Sequence, residues 1–169
     1  APAAGTPSGT VTFKDGATTV CGPVALVAAV ATCATSTLTV GSHSITVDYA
    51  GDTNFNTSTS SALNQVVNKT DTTNALVVAP VSPTVFGQSV ALTSTVAAVA
   101  PGGGVPTGSV TFLDGATSLG SGALNGAGVA TASTTTLAVG THSLTANYAA
   151  TTNYNASTSS PAISFVVNK

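Results

Sequence analysis

Along most of the chain apolar residues alternate one for one with Ser, Thr and Asn. This is the period of a strand with one face in a core and the other in water. Within 143–148, Leu144, Ala146 and Tyr148 fall on one side and Ser143, Thr145 and Asn147 on the other. From 70 to 169 the alternation, broken by turn residues roughly every 8 to 12 positions, predicts seven strands, at 74–79, 88–97, 108–113, 116–124, 128–137, 140–149 and 162–168. Asp15-Gly16 and Asp114-Gly115 supply the positive-φ residue of a tight reversal, and Asn125-Gly126 reads as closing the fourth and fifth strands into a hairpin. The expected fold class is all-β, an antiparallel sandwich.

The pattern repeats. Ser8-Gly9-Thr10-Val11-Thr12-Phe13-Lys14-Asp15-Gly16-Ala17-Thr18 matches Thr107-Gly108-Ser109-Val110-Thr111-Phe112-Leu113-Asp114-Gly115-Ala116-Thr117, an offset of 99. The same offset relates Val40-Gly41-Ser42-His43-Ser44-Ile45-Thr46-Val47-Asp48-Tyr49-Ala50 to Val139-Gly140-Thr141-His142-Ser143-Leu144-Thr145-Ala146-Asn147-Tyr148-Ala149. Pro161 adds one residue, so Val66-Val67-Asn68-Lys69 meets Val166-Val167-Asn168-Lys169 at an offset of 100. Residues 70–169 therefore form one whole repeat. Residues 1–69 correspond to the final two thirds of another, lacking its first two strands.

Gly-Ser/Thr-His-Ser-Ile/Leu-Thr-x-x-Tyr-Ala, the preceding Val-Thr-Phe-x-Asp-Gly-Ala-Thr and the closing Val-Val-Asn-Lys resemble the bacterial immunoglobulin-like repeats that occur in tandem in secreted and cell-surface proteins. The resemblance implies tandem antiparallel Ig-like β-sandwiches, the first incomplete at its N-terminal end. It also implies an extracellular role without catalysis, as stalk, spacer, filament body or adhesive module.

Composition narrows the chemistry. Charged residues are 5% of the 169, with three Lys, five Asp, two His and no Arg or Glu, for a net charge of −2. A basic nucleic-acid footprint is excluded, as is a triad or paired-carboxylate hydrolase, since the acids and the two His are spread thinly over separate repeats. No cofactor is expected. The longest apolar stretch, Val24 to Ala34, is interrupted by Thr32 and is too short to cross a bilayer, so no membrane insertion is expected. Ala1-Pro2-Ala3-Ala4-Gly5 lacks the charged and apolar regions of a signal peptide, which is thus either missing or already removed. Ser and Thr make up about 50 residues and keep the surface wet.

Cys21 and Cys33 lie in the incomplete copy and correspond to Gly120 and Ala132. A hairpin folded about Val27 and Ala28 puts them opposite one another, which favours a disulfide and an oxidising compartment over two buried thiols. A zinc site finds only His43 nearby, too few ligands. His43 and His142 recur at the start of a strand, where an imidazole covers the end of the core and bonds a loop carbonyl, with no acid or Cys ligand expected beside it. Asp48, Asp52 and Asn54 offer oxygen ligands to calcium, but the second copy replaces the two acids with Asn147 and Thr151, and turn chemistry explains them equally well; no metal is expected. Tyr49 and Tyr148 are read as corner tyrosines. Lys14, Lys69 and Lys169 lack the pairing of an internal isopeptide bond.

Asn56-Thr57-Ser58, Asn68-Lys69-Thr70 and Asn155-Ala156-Ser157 match the glycosylation acceptor pattern. Phe55 and Tyr154 recur in one loop, either as exposed contacts for a ligand or as plugs of the sandwich end. Three roles follow. The chain is a structural repeat of an extracellular stalk or filament, an adhesive or carbohydrate-binding module, or the accessory part of a secreted enzyme. The expected partners are neighbouring Ig-like repeats, with strand addition from another copy of the protein as a route to a filament.

Overall fold

The computed structural model describes residues 5–169. Every regular element is a strand, and the chain divides into two compact units, Ala1–Asn68 and Lys69–Lys169.

The second unit is a two-layer sandwich. One layer holds β9 (Ser109–Asp114), β10 (Thr117–Ala123), β12 (Gly140–Tyr148), β14 (Ile163–Asn168) and the two-residue β7 (Thr84–Val85), in the order β10-β9-β12-β14-β7, with β13 (Ser157–Thr158) also on β12. The other holds β6 (Thr72–Ala79), β8 (Val90–Ala98) and β11 (Val129–Thr134), in the order β11-β8-β6. The alternation read from sequence is the burial pattern observed. In β8, Val90, Leu92, Ser94 and Val96 are buried while Ala91, Thr95 and Ala97 are exposed. In β12, Leu144, Ala146 and Tyr148 are buried. The apolar ones among these side chains join Val110, Phe112, Ala130, Phe165 and Val167 in one core between the layers.

Two expectations need correction. Asn125-Gly126 does not close a hairpin: β10 pairs with β9 in one layer, whereas β11 pairs with β8 in the other. The connection is an arch between layers, shaped by Asn125, whose side-chain oxygen accepts from the amides of Ala127 and Val129. Gly122 permits the close passage of β10 and β11, since a Cβ there would lie 2.5 Å from the Thr131 carbonyl oxygen. The strand expected over 128–137 ends at Thr134, where the Thr134 hydroxyl accepts from the Thr136 amide and turns the chain, returning Leu137 to the core.

The first unit is a single sheet. It contains β1 (Thr10–Asp15), β2 (Thr18–Ala25), β3 (Gly41–Tyr49), β4 (Ser58–Thr59) and β5 (Leu63–Val67), with β1 between β2 and β3, and β4 and β5 both on β3. Its register repeats that of the second unit. Val11 faces Tyr49 and Phe13 faces Val47, as Val110 faces Tyr148 and Phe112 faces Ala146. The hairpin expected about Val27 and Ala28 survives as one bridge, Val27 to Val30, with Ala28 and Ala29 both at positive φ. Residues 31–40 after it form no strand. The reason follows from the second unit: the equivalent β11 has β8 as its only ladder partner, and the first unit contains no counterpart of β8 among its described residues.

Candidate functional site

Two ionisable groups that recur in both copies, an Asp and a His, meet at the end of the β1–β3 pair and again at the end of the β9–β12 pair. The Asp15-Gly16 turn brings its carboxylate to the start of β3. Asp15 Oδ2 lies 2.6 Å from His43 Nδ1, Asp15 Oδ1 accepts from the Ser44 amide at 3.0 Å, and His43 Nε2 lies 2.8 Å from the Thr39 carbonyl oxygen. The second unit repeats this with Asp114, His142, Ser143 and Ala138 at the same distances. Each ring thus faces an acceptor on both nitrogens, which favours the doubly protonated imidazolium. The Asp15 carboxylate and then the Thr39 carbonyl raise the pKa of His43. For His142 the Ala138 carbonyl leads and Asp114 follows, again upward.

The loop carbonyl bond of the histidines is the one expected from sequence. The acid beside each ring is not: Asp15 and Asp114 serve the turn and the imidazole at once. The signal for it is spacing, since Asp precedes His by 28 residues in both copies. An imidazole clamped between a carboxylate and a carbonyl has both ring nitrogens engaged within the chain. It ties a turn, a loop and a strand together.

The remaining recurrent polar groups also hold chain to chain. Tyr148 is buried and donates to the Thr107 carbonyl, and Tyr49 to the Ser8 carbonyl. Ser60 exchanges two bonds with Val47, its hydroxyl accepting from the Val47 amide and its amide donating to the Val47 carbonyl. Ser159 and Ala146 do the same. Asp52 accepts from the Ser8 amide and hydroxyl and from the amides of Asn54 and Phe55, and these bonds, that from the Ser8 amide first, hold its carboxyl far below the usual carboxylate range. Asp48 pairs with Lys14 and accepts from the Thr59 hydroxyl; the lysine, then the hydroxyl, lower its pKa. Asp48, Asp52 and Asn54 therefore do not converge on one point. Among the described residues no group of three or more His, Cys, Asp or Glu is placed to hold a metal ion, and no helix is long and apolar enough to cross a membrane.

Tyr154 is 9% exposed and donates to the Gly103 carbonyl, closing the sandwich end rather than presenting a ring to a ligand. Phe55 is partly exposed. Asn56 and Asn68 are exposed, whereas the Asn155 amide nitrogen donates to Asp71. Lys69 donates to the Thr151 carbonyl.

Cys21 and Cys33 are joined by a disulfide with 6.1 Å between their Cα atoms. Cys21 lies on β2 and Cys33 in the strand-free stretch, so the bond fastens to the sheet a segment that has no ladder to hold it. The face of that sheet is open. Phe13, Ile45, Val47 and Tyr49 are partly exposed, while their counterparts Phe112, Leu144, Ala146 and Tyr148 are at most 2% exposed.

A buried pair invisible to the repeat comparison completes the second unit. Ser94 donates to Asn74 Oδ1 at 2.7 Å, and Asn74 Nδ2 donates across the layers to the Ala146 carbonyl at 2.9 Å. Both residues lie in strands that only the whole repeat contains.

A two-layer antiparallel sandwich whose recurrent polar groups bond strand ends and turns is the fold of an immunoglobulin-like module. The sequence model of the bacterial Ig-like domain (group 3) matches residues 1–68 and 76–168, and the chain belongs to that family. Domains of this family are typically non-catalytic and often extracellular, and the disulfide is consistent with an oxidising environment. Searches of curated proteins and of solved structures find no match.

Proposed function

We propose that this protein is a structural repeat of an extracellular bacterial stalk or filament, acting through its length and stiffness rather than through catalysis. One observation carries the reading: in both copies the recurrent His, Asp, Tyr and Ser side chains are engaged in intramolecular bonds that pin strand ends. A side chain that must act on a substrate needs a free donor, acceptor or lone pair. Neighbouring Ig-like repeats are the partners of such a module, and the surface of hydroxyls keeps it soluble with few charges. The disulfide supports residence outside the cytosol.

The test is made on the source bacterium with an antibody against residues 70–169. Labelling of unbroken cells, removal of the label by added protease, and an oxidised Cys21–Cys33 pair at the time of harvest are the expected results. A protein confined to the cytosol with alkylatable thiols would overturn the reading.

A further inference from the structure

The hydrogen bonds of the three-stranded layer fix which backbone groups of β6 are spent. The Val99 amide donates to the Asp71 carbonyl, and the Val96 amide donates to the Gly128 carbonyl on the far side of β8. With Thr72 opposite Ala98 and Asn74 opposite Val96 in an unbroken register, the odd-numbered residues of β6 bond to β8 and the even-numbered ones point away from it. β6 ends the layer in the order β11-β8-β6. The amides and carbonyls of Leu76 and Val78 therefore face outward, and no described residue takes them up. Nearer the start of the strand the edge is covered by side-chain bonds, from Thr72 to Asn155 and Ser157 and from Asn74 to the Ser157 carbonyl. From 75 to 79 it is bare. The other edges of this unit are blunted. β7 is two residues long and follows Pro83, while β10 carries a bulge between Ser118 and Gly120 and, at Gly122, passes close to Thr131 of β11, so that the layers shield each other on that side. β6 has eight residues without Gly, Pro, bulge or charge.

We propose that residues 75–79 form an interaction edge at which two copies of this chain pair antiparallel, Val77 against Val77, joining their three-stranded layers into one sheet. The stretch is its own complement. Ala75-Leu76-Val77-Val78-Ala79 turned end for end sets Ala75 opposite Ala79 and Leu76 opposite Val78. The outward parity makes Leu76 with Val78 the pair that exchanges both N–H and C=O bonds. Val77, 63% exposed, falls in the closer pair that makes no hydrogen bonds, where the two valines cover each other. Pro80 has no N–H to give, so the new ladder stops opposite Asn74, where the side-chain bonds to Ser157 begin. No charge lies on β6, β8 or β11 to hold two such layers apart. The contact is small and belongs to the transient class. It stands on the hydrogen-bond parity of the fold and not on the role proposed above.

The test is made on the 169-residue protein. Sedimentation is followed between about 10 μM and about 1 mM, the span in which a small interface associates, and amide exchange is read residue by residue by NMR at each concentration. Expected is a monomer–dimer equilibrium in which the Leu76 and Val78 amides slow as the dimer fills, about tenfold where the protein stands at about ten times its Kd. The Val77 amide, bonded to β8 in either state, changes little. Val77→Lys sets like charges opposite each other and leaves the protein monomeric, as does Val77→Asp; a mixture of the two associates again, which a folding defect could not do. A wild type that stays monomeric at the highest concentration overturns the proposal, and so does a dimer that Val77→Lys leaves intact or a mixture that fails to associate. A monomer whose Leu76 and Val78 amides are slow at every concentration overturns it as well, because the edge is then filled within the chain.

Discussion

Removing the Cys21–Cys33 bond, by reduction or as C21A/C33A, tests whether a covalent link replaces the ladder that residues 30–35 lack. The two cysteines are 12 residues apart. In the loop-entropy model, closing a loop of that size stabilises by roughly 3 kcal/mol. The first unit has little else to draw on. Val11 is its only buried apolar side chain among the described residues, and Val27 and Val30 are 75% and 60% exposed. Ala28 and Ala29 at positive φ each oppose the turn by about 1 kcal/mol. A loss of about 3 kcal/mol against a typical 5–15 kcal/mol for a complete domain should release the segment 26–38 first. The assay is amide exchange with and without reductant, read peptide by peptide, alongside thermal unfolding. The expected result is lost protection at Val27 and Val30, a lower transition for residues 5–68, and no change in 69–169. If reduction leaves exchange over 26–38 unchanged, packing or backbone bonds hold the segment, and the disulfide has been assigned a role it does not have.

Other perturbations address the second unit and the paired locks. Because both histidine pKa values are raised on folding, the stabilisation is fully present below the unfolded value of about 6.5 and fades as pH rises through the folded value. Urea midpoints of the second unit should therefore fall between pH 6 and pH 8.5 in the wild type, and by less in Asp114→Asn, which keeps the Ala138 carbonyl bond but loses the carboxylate. Asn74→Ala strands the Ser94 hydroxyl in the core and should destabilise the second unit by about 1–3 kcal/mol, measured by urea unfolding of residues 70–169. A Cβ built at Gly120 lies 3.9 Å from the Ala132 Cβ, a disulfide spacing. Oxidised G120C/A132C should form the bond but gain less than the roughly 3 kcal/mol of loop closure, because Gly120 has φ of +137°; a melting curve with and without reductant decides.

The strands of the second unit were legible because β8, β9, β12 and β14 each bury one face, and burial imposes the period of two that the residues display. Layer assignment was not. Gly120 and Ala132 lie close across the Asn125-Gly126 connection whether it is a hairpin or an arch, and only the ladder of β11 with β8 distinguishes them. The two-residue strands β7 and β13 carry too few positions to show any period. At the locks, His43 and His142 announced themselves by recurrence, yet their acids sat inside a turn motif that already had an explanation. Asn74 and Ser94 looked like any other polar residues of a Thr-rich chain, because their partners are reached only when two layers are stacked.

The parallel pairing of β7 with β14 has a mechanical consequence. The pair joins a strand near the entry of the second unit to its last strand through Val167 opposite Thr84 and Asn168 opposite Val85, reinforced by bonds from the Phe86 amide to the Asn168 carbonyl and from the Val166 amide to the Ser82 hydroxyl. Tension applied at the two ends of the unit draws β7 toward its own N-terminus and β14 toward its C-terminus. Two parallel strands so loaded slide past each other. Their hydrogen bonds lie across the direction of pull and are strained together, instead of opening one at a time as in a hairpin peeled from its end. One of the shortest strands of the fold, two residues long, thus meets a pulling force in shear once β6 has parted from β8.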